Sequence, residues 1–278
     1  MKKLLSFGIN DYPGSQNDLQ GCVNDTKNIV SHLGIFKSSV KNAIAIAKTF
    51  KSFGFETQVF LNSQVTKEKL RSEVTNLVLA ANSGDIIVIH YSGHGTRLID
   101  KNGDESDGYD EALYLYDGAF SDDEFSKIML KLPTGVECVF MMDSCFSGTI
   151  TRKINQKARF KPLLVEVDHN GDPIQRKNRI LHVKDSEMNH LVFSGCSSTQ
   201  TSADAQIQGF YNGAFTFYAM DALTPGISYK EWHKRFLKKI KSTGYDQTPQ
   251  IEGPEWLMEK GVFGSKLKSH NCWLKFWQ

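Results

Sequence analysis

Two apolar patterns alternate along this chain. Short stretches built on apolar residues cover 4–9, 56–61, 85–91, 137–142 and 190–195, most continuously in 85–91 and 137–142. Runs of this length and kind read as strands buried on both faces. A shorter run at 112–116 and a last one at 249–252 read the same way. Between them, apolar residues recur every three or four positions, which is the period of a helix packed on one face. Such stretches cover 34–51, 66–79, 213–223 and 229–240. Asn24 and Asp25 can cap another helix running on through Ile29 and Leu33. Strand and helix alternation of this kind implies βαβ units, hence an α/β fold with a central, mainly parallel sheet of about six strands flanked by helices.

Periodicity is lost over residues 151–184, which hold nine Arg and Lys residues. This stretch reads as an exposed basic linker. It divides a catalytic body expected over 1–252 into a larger part, 1–150, and a smaller part, 185–252. The remaining 253–278 are aromatic-rich, with Trp256, Trp273, Phe276 and Trp277, and are expected to pack on the body.

Composition narrows the function classes. The 278 residues are 40% hydrophobic and 23% charged, with a formal net charge of +2. That balance makes no electrostatic case for a nucleic-acid partner. No apolar stretch approaches the roughly 20 residues that span a bilayer, and the N-terminal apolar run is too short for a signal peptide. The five cysteines are odd in number and show no Cys-x-x-Cys spacing, so neither a disulfide framework nor a zinc site is indicated. A reduced, cytoplasmic setting is the expectation.

Chemistry concentrates at the ends of two strands. Ile86-Ile-Val-Ile-His-Tyr runs into Ser92-Gly-His94-Gly95, and Cys138-Val-Phe-Met-Met runs into Asp143-Ser-Cys145-Phe-Ser-Gly148. The carboxyl ends of parallel strands carry the ligand site in open α/β sheets. A thiol and an imidazole delivered there can act as nucleophile and base, with backbone N–H groups near Gly95 holding an oxyanion. A free cysteine is also commonly a small buried apolar residue, which is the competing reading of Cys145 alone. Asp143 and Asp25 are candidate anchors for a cationic substrate; they could equally be a carboxylate satisfied by loop amides and a helix N-cap. An acidic stretch, Asp100, Asp104, Glu105, Asp107, Asp110 and Glu111, precedes the 112–116 run, and Asp122, Asp123 and Glu124 follow it. Oxygen ligands at this density suit Ca²⁺, although the spacing is not an EF-hand. Acids opening a helix offer the alternative reading for Asp122 and Asp123.

These blocks resemble the metacaspases, Arg- and Lys-directed relatives of the caspases. The resemblance extends to Gly8-Ile-Asn-Asp-Tyr-Pro-Gly14, Asn17 to Asp25, Asp104 to Ala112, Gly213-Ala-Phe-Thr216 and Gln247-Thr-Pro-Gln250, in the family's order. His94 and Cys145 stand 51 positions apart, against about 50 in caspases. The resemblance implies a caspase-like (caspase–hemoglobinase) fold and a cysteine endopeptidase with Cys145 as nucleophile and His94 as base. It implies a pocket of Cys22, Asp25, Ser92 and Asp143 that takes the Arg or Lys preceding the cut. It also implies Ca²⁺ as an activator held by Asp110, Asp122 and Asp123, peptide or protein substrates, self-processing in the basic linker, and a monomer. Phe146 stands where the family commonly has His, Thr151-Arg152 stands where a further family acid is expected, the 34–51 stretch is long for the family, and no long prodomain precedes the fold. Two rival readings are a catalytically silent caspase-like module that binds partners and a clan relative with another pocket specificity.

Overall fold

In the computed structural model the described residues are 1–14, 18–19, 22, 53–99, 109–144, 156–158, 188–196, 203–207, 210–245 and 247–268. In chain order the strands are β1 (Lys2–Gly8), β2 (Glu56–Leu61), β3 (Ile86–Ser92), β4 (Gly95–Ile99), β5 (Tyr109–Leu115), β6 (Gly118–Ser121), β7 (Glu137–Asp143), β8 (Gln156–Ala158), β9 (Leu191–Ser194), β10 (Ala203–Ile207), β11 (Phe210–Gly213) and β12 (Gln250–Glu252). The helices are α1 (Lys67–Ala80), α2 (Asp122–Met129), α3 (Ala214–Ala222), α4 (Tyr229–Ser242) and the short α5 (Glu255–Met258).

The consecutive apolar runs form the centre. A six-stranded sheet has the order β12-β9-β7-β3-β1-β2. Its pairs are parallel except β9 with β12. Every residue of β3 and β7 is buried, as their unbroken apolar character requires. The chain leaves β1 towards β2 on one side and returns through β3 on the other, so the strand order reverses between β1 and β3. A crevice at the carboxyl ends of the strands is expected at such a switch point.

Each sheet face is covered by a separate apolar cluster. On one face Leu5, Phe7, Ile87, Ile89, Phe140 and Met142 pack against α1, α2 and the small antiparallel sheet β4-β5-β6. On the other, Leu4, Val88, Val139, Met141 and Phe193 pack against α3 and α4. The alternation of side chains along each strand sorts these residues to the two faces. In α4, Tyr229, Trp232, Phe236 and Ile240 face inward at helical spacing, and Ser228 caps the helix by accepting from the Glu231 N–H. Thr66 does the same for α1 through Lys69 N–H.

The fold class is the expected one, and three local features differ from expectation. The segment around the 112–116 run is a three-stranded sheet whose first strand, β4, begins directly after His94. The basic stretch 151–184 contains β8, which pairs antiparallel with β10. The rest of that stretch, the expected helices over 24–51 and the acids of 100–108 lie outside the described residues. In the C-terminal segment Leu257, Val262 and Phe263 are buried as expected, but Trp256 is 56% exposed, with the Lys260 ammonium over its ring. Trp273, Phe276 and Trp277 lie outside the described residues. Among the described residues no helix is long and apolar enough to cross a membrane.

Candidate active site

The loops after β1 and β3 open at the switch point. β3 pairs with β7 over its whole length, and the last pair in register is Ser92 with Asp143. Register partners share a face, so two of the expected pocket residues lie side by side on neighbouring strands. Both are fully buried. The Gly93 N–H then donates to the Asp143 carbonyl at 3.3 Å, which extends the pairing to the residue before His94.

His94 is held through its backbone and its ring. Its N–H donates to Tyr12 Oη at 2.7 Å. Its carbonyl accepts from Tyr91 Oη at 2.9 Å and from the Tyr114 N–H at 2.9 Å. The imidazole lies against the Tyr12 ring, with centroids 4.8 Å apart and planes at 42°. The whole residue is only 4% exposed.

The same pairing orients Gly95. His94 and Tyr114 are joined by a backbone hydrogen bond, so the next pair, Gly95 with Leu113, is of the non-hydrogen-bonded kind. The Gly95 N–H therefore points away from β5. β4 is an edge strand of its sheet and Gly95 is buried, so that N–H is left out of the pairing with β5.

Asp143 has a specific partner. Its Oδ2 accepts from the backbone N–H of Thr216 at 3.0 Å and from Thr216 Oγ1 at 2.7 Å. Helix α3 begins after Gly213, which has no side chain to cap it, so Asp143 supplies the cap from another strand. Thr216 Oγ1 lies 3.5 Å from His90 Nε2, and His90 Nδ1 lies 2.8 Å from Ser6 Oγ. Thr216 Oγ1 gives its proton to the carboxylate, so it accepts from His90 Nε2–H. His90 is the buried link between the sheet and this cap. Near the end of β9, Gln247 Nε2 donates to the Gly195 carbonyl at 2.7 Å, and Cys196 Sγ lies 3.7 Å from the Ser144 carbonyl.

The description "Metacaspase, peptidase C14 domain" matches residues 2–153. The chain belongs to the metacaspase family. Metacaspase-1 of Schizosaccharomyces pombe is 31% identical over 291 residues, covering 90% of this chain and 66% of that protein. Metacaspase-1 of Meyerozyma guilliermondii is 30% identical over 293 residues, covering 90% and 68%. The chain thus spans about two thirds of the length of these relatives. A crystal structure of a Geobacter sulfurreducens protein superposes with a TM-score of 0.68 at 25% identity, covering 96% of this chain and 99% of the other. Caspase-1 of Spodoptera frugiperda superposes with a TM-score of 0.60 at 15% identity over 97% and 91%, which establishes the caspase-like fold. Membership places this metacaspase among the caspase-like cysteine peptidases.

Of the expected site residues, His94, Gly95, Ser92 and Asp143 come together at the β3–β7 strand ends. Cys22 is fully buried after the β1 loop. Cys145 and Asp25 lie outside the described residues. The acids expected to hold Ca²⁺ divide differently. Asp110 is buried on β5, while Asp122 and Asp123 occupy the first turn of α2, where acids suit the helix dipole. Asp123 lies 3.9 Å from Lys127, and the helix carries a Ser121–Glu124 capping box. Asp122 lines a cavity of about 240 Å³ together with Glu111, Phe140, Met142, His190 and Glu252. Burial lowers the His190 pKa to about 4, so the imidazole in that cavity is neutral. No group of three or more His, Cys, Asp or Glu side chains among the described residues can hold a metal ion. On their own, therefore, these residues do not form a Ca²⁺ site.

Tyr12, Tyr91, Thr216 and Gln247 were given no role from sequence. Tyr12, Thr216 and Gln247 sit inside segments that resemble the family, which was the only signal for them. Tyr91 is indistinguishable there from the other apolar members of its strand.

Proposed function

We propose that this metacaspase cleaves peptide bonds after Arg or Lys through an acyl-enzyme on Cys145, with His94 as base and acid. The observation that carries this reading is the rigid seating of His94 at the end of β3, beside the strand that leads through Asp143 to Cys145. His94 takes the thiol proton, and the thiolate adds to the scissile carbonyl carbon. The Gly95 N–H, left out of the pairing with β5, is the proposed donor to the oxyanion. As the C–N bond breaks, His94 returns the proton to the leaving amine. Water, deprotonated by His94, then cleaves the thioester, releasing the acid and the free thiol. Asp143, with Ser92 beside it and Asp25 from the loop after β1, reads the positive charge of the substrate residue before the cut.

The basic stretch 151–184 follows Cys145 closely in the chain, so it is the proposed site of self-processing. Ca²⁺ is proposed as an activator that draws on Asp110, Asp122 and Asp123 together with ligands outside the described residues, and no step of the chemistry passes through it. The working unit is proposed to be a cytoplasmic monomer.

The test is a panel of fluorogenic peptides ending in Arg, Lys, Asn or Asp, assayed with and without Ca²⁺. Expected is turnover of the Arg and Lys peptides alone, abolished in Cys145→Ala and in His94→Ala. Sequencing of new N-termini should find cuts after Arg or Lys within 151–184, absent from Cys145→Ala. Equal rates on Asp and Arg peptides would overturn the pocket assignment, and full activity of Cys145→Ala would overturn the mechanism.

A further inference from the structure

Resting on the reading of His94 as base, we propose that Tyr12 is the positioning residue of this peptidase, with Tyr91 as its support. The His94 N–H is accepted by Tyr12 Oη at 2.7 Å. A phenol carries one proton, and that of Tyr12 reaches Tyr91 Oη at 3.4 Å. The Tyr91 proton in turn reaches the His94 carbonyl at 2.9 Å, with the Tyr114 carbonyl at 2.8 Å as a second acceptor. The hydrogen bonds therefore start and finish on His94. Two side chains, Tyr12 from the loop after β1 and Tyr91 from β3, clamp both polar groups of its peptide backbone.

The Tyr12 ring does the same for the side chain. It lies between the His94 imidazole at 4.8 Å and the Tyr114 ring at 5.8 Å, which fixes the face that the imidazole can present. Gly93 is part of the arrangement. A Cβ there would stand 2.3 Å from Tyr91 Oη and 2.7 Å from Tyr12 Oη, so the two hydroxyls occupy the space left by its missing side chain.

Tyr12 is itself anchored. Its N–H donates to Asp18 Oδ1 at 3.0 Å, and the Asn10 N–H donates to Asn62 Oδ1 at 3.0 Å. Asn62 adopts a φ of 50°, a left-handed conformation that asparagine tolerates better than most residues. The Leu19 N–H closes the loop on the Asn10 carbonyl at 2.8 Å. A tyrosine serving only as core would bury its ring and leave its hydroxyl to water or a nearby carbonyl. Here the hydroxyl is committed to the peptide group of the proposed base. Proton transfer tolerates misplacement of only about 0.5 Å and 10–20°, so a clamp of this kind acts on kcat.

The test compares Tyr12→Phe, Tyr12→Leu and Tyr91→Phe in the full chain. For each, kcat and KM on an Arg peptide, the rate of Cys145 alkylation by iodoacetamide, and thermal unfolding are measured. Tyr12→Phe is expected to lower kcat about tenfold with KM within about twofold, the size of effect from one lost hydrogen bond. Tyr12→Leu, which also removes the ring, should lower kcat further, and the alkylation rate should fall with it. Tyr91→Phe should show a smaller loss of the same kind and serves if Tyr12→Leu does not fold. Wild-type kcat in both phenylalanine variants, or a loss confined to KM, would overturn the proposal. So would a loss that tracks only the unfolded fraction on heating. If Cys145→Ala and His94→Ala are inactive while Tyr12→Phe turns over normally, the positioning role fails alone. If either of the first two stays active, the assignment of the dyad has failed instead.

Discussion

Thr216→Val tests whether Asp143 is a substrate anchor or only a helix cap. Valine keeps the branched shape of threonine and deletes one hydroxyl. That hydroxyl donates to Asp143 Oδ2 at 2.7 Å and accepts from His90 at 3.5 Å, with all three side chains fully buried. A hydrogen bond to a charged group is worth roughly 1.5–3 kcal/mol. The Thr216 N–H, 3.0 Å from the same oxygen, stays in place, so the expected loss lies at the lower end, about 1.5–2 kcal/mol. In a domain of this size such a loss lowers the melting temperature by roughly 3–8 °C. If Asp143 also reads the substrate's cation, loosening it lowers kcat/KM for an Arg peptide by about tenfold, carried mostly by KM. Thr216→Ser should restore both quantities. Calorimetry and peptide kinetics at 25 °C provide the two readouts. An unchanged melting temperature would refute the energetic argument. A lowered one with normal kcat/KM on Arg peptides would make Asp143 a cap for α3 and nothing more.

Gly93→Ala should cost roughly 1–3 kcal/mol through overpacking and reduce kcat well before it unfolds the protein at 25 °C, because the added methyl displaces the hydroxyls bound to His94; a variant with wild-type kcat would contradict the clamp. Burial raises the pKa of Glu137, against the opposing pull of the Tyr229 hydroxyl at 2.5 Å, Lys260 and Lys2. A raised carboxyl pKa means stability that is fullest below the unfolded value and is lost as pH rises through the folded one. Glu137→Gln keeps an acceptor for Tyr229, so its melting temperature should gain on wild type from acid towards neutral pH; a constant difference across that range would contradict this. For Ca²⁺, Asp122→Ala combined with Asp123→Ala should remove any activation seen at about 10⁻⁶ to 10⁻³ M while leaving basal turnover, and calorimetric binding identical to wild type would exclude these acids as ligands.

The strands of the central sheet were legible because burial on both faces demands consecutive apolar residues, as in β3 and β7. Helices α1, α3 and α4 were legible because one-sided burial imposes a helical period. Strands β4, β10 and β11 were not. They pair in small sheets at the margin of the fold, and Gly95-Thr-Arg-Leu-Ile or Ala203-Asp-Ala-Gln-Ile carries too few apolar residues to mark a strand. His94, Ser92 and Asp143 could be placed because a strand running into a Gly-rich turn has a recognisable local pattern. Their supports could not. Tyr12 meets His94 across 82 positions, and Thr216 meets Asp143 across 73. No local pattern records contacts of that range. Asp143 shows the limit well: its Oδ2 accepts from the N–H and hydroxyl of Thr216, a residue 73 positions later.

The order in which these groups leave the ribosome follows from the same long-range contacts. Tyr12 and Asn62 are made before His94, so the seat of the proposed base exists in the chain before that residue does. The cap on Asp143 comes late, with Thr216, and the hold on the Gly195 carbonyl later still, with Gln247. Pairing across such distances also forms slowly. A nascent chain that has already exposed His94 and Cys145 lacks the residues that fix the surrounding edge until Thr216 and Gln247 emerge. A peptidase assembled in this sequence stays unfinished until those later segments are made, while its earlier unfolded segments are most open to cutting.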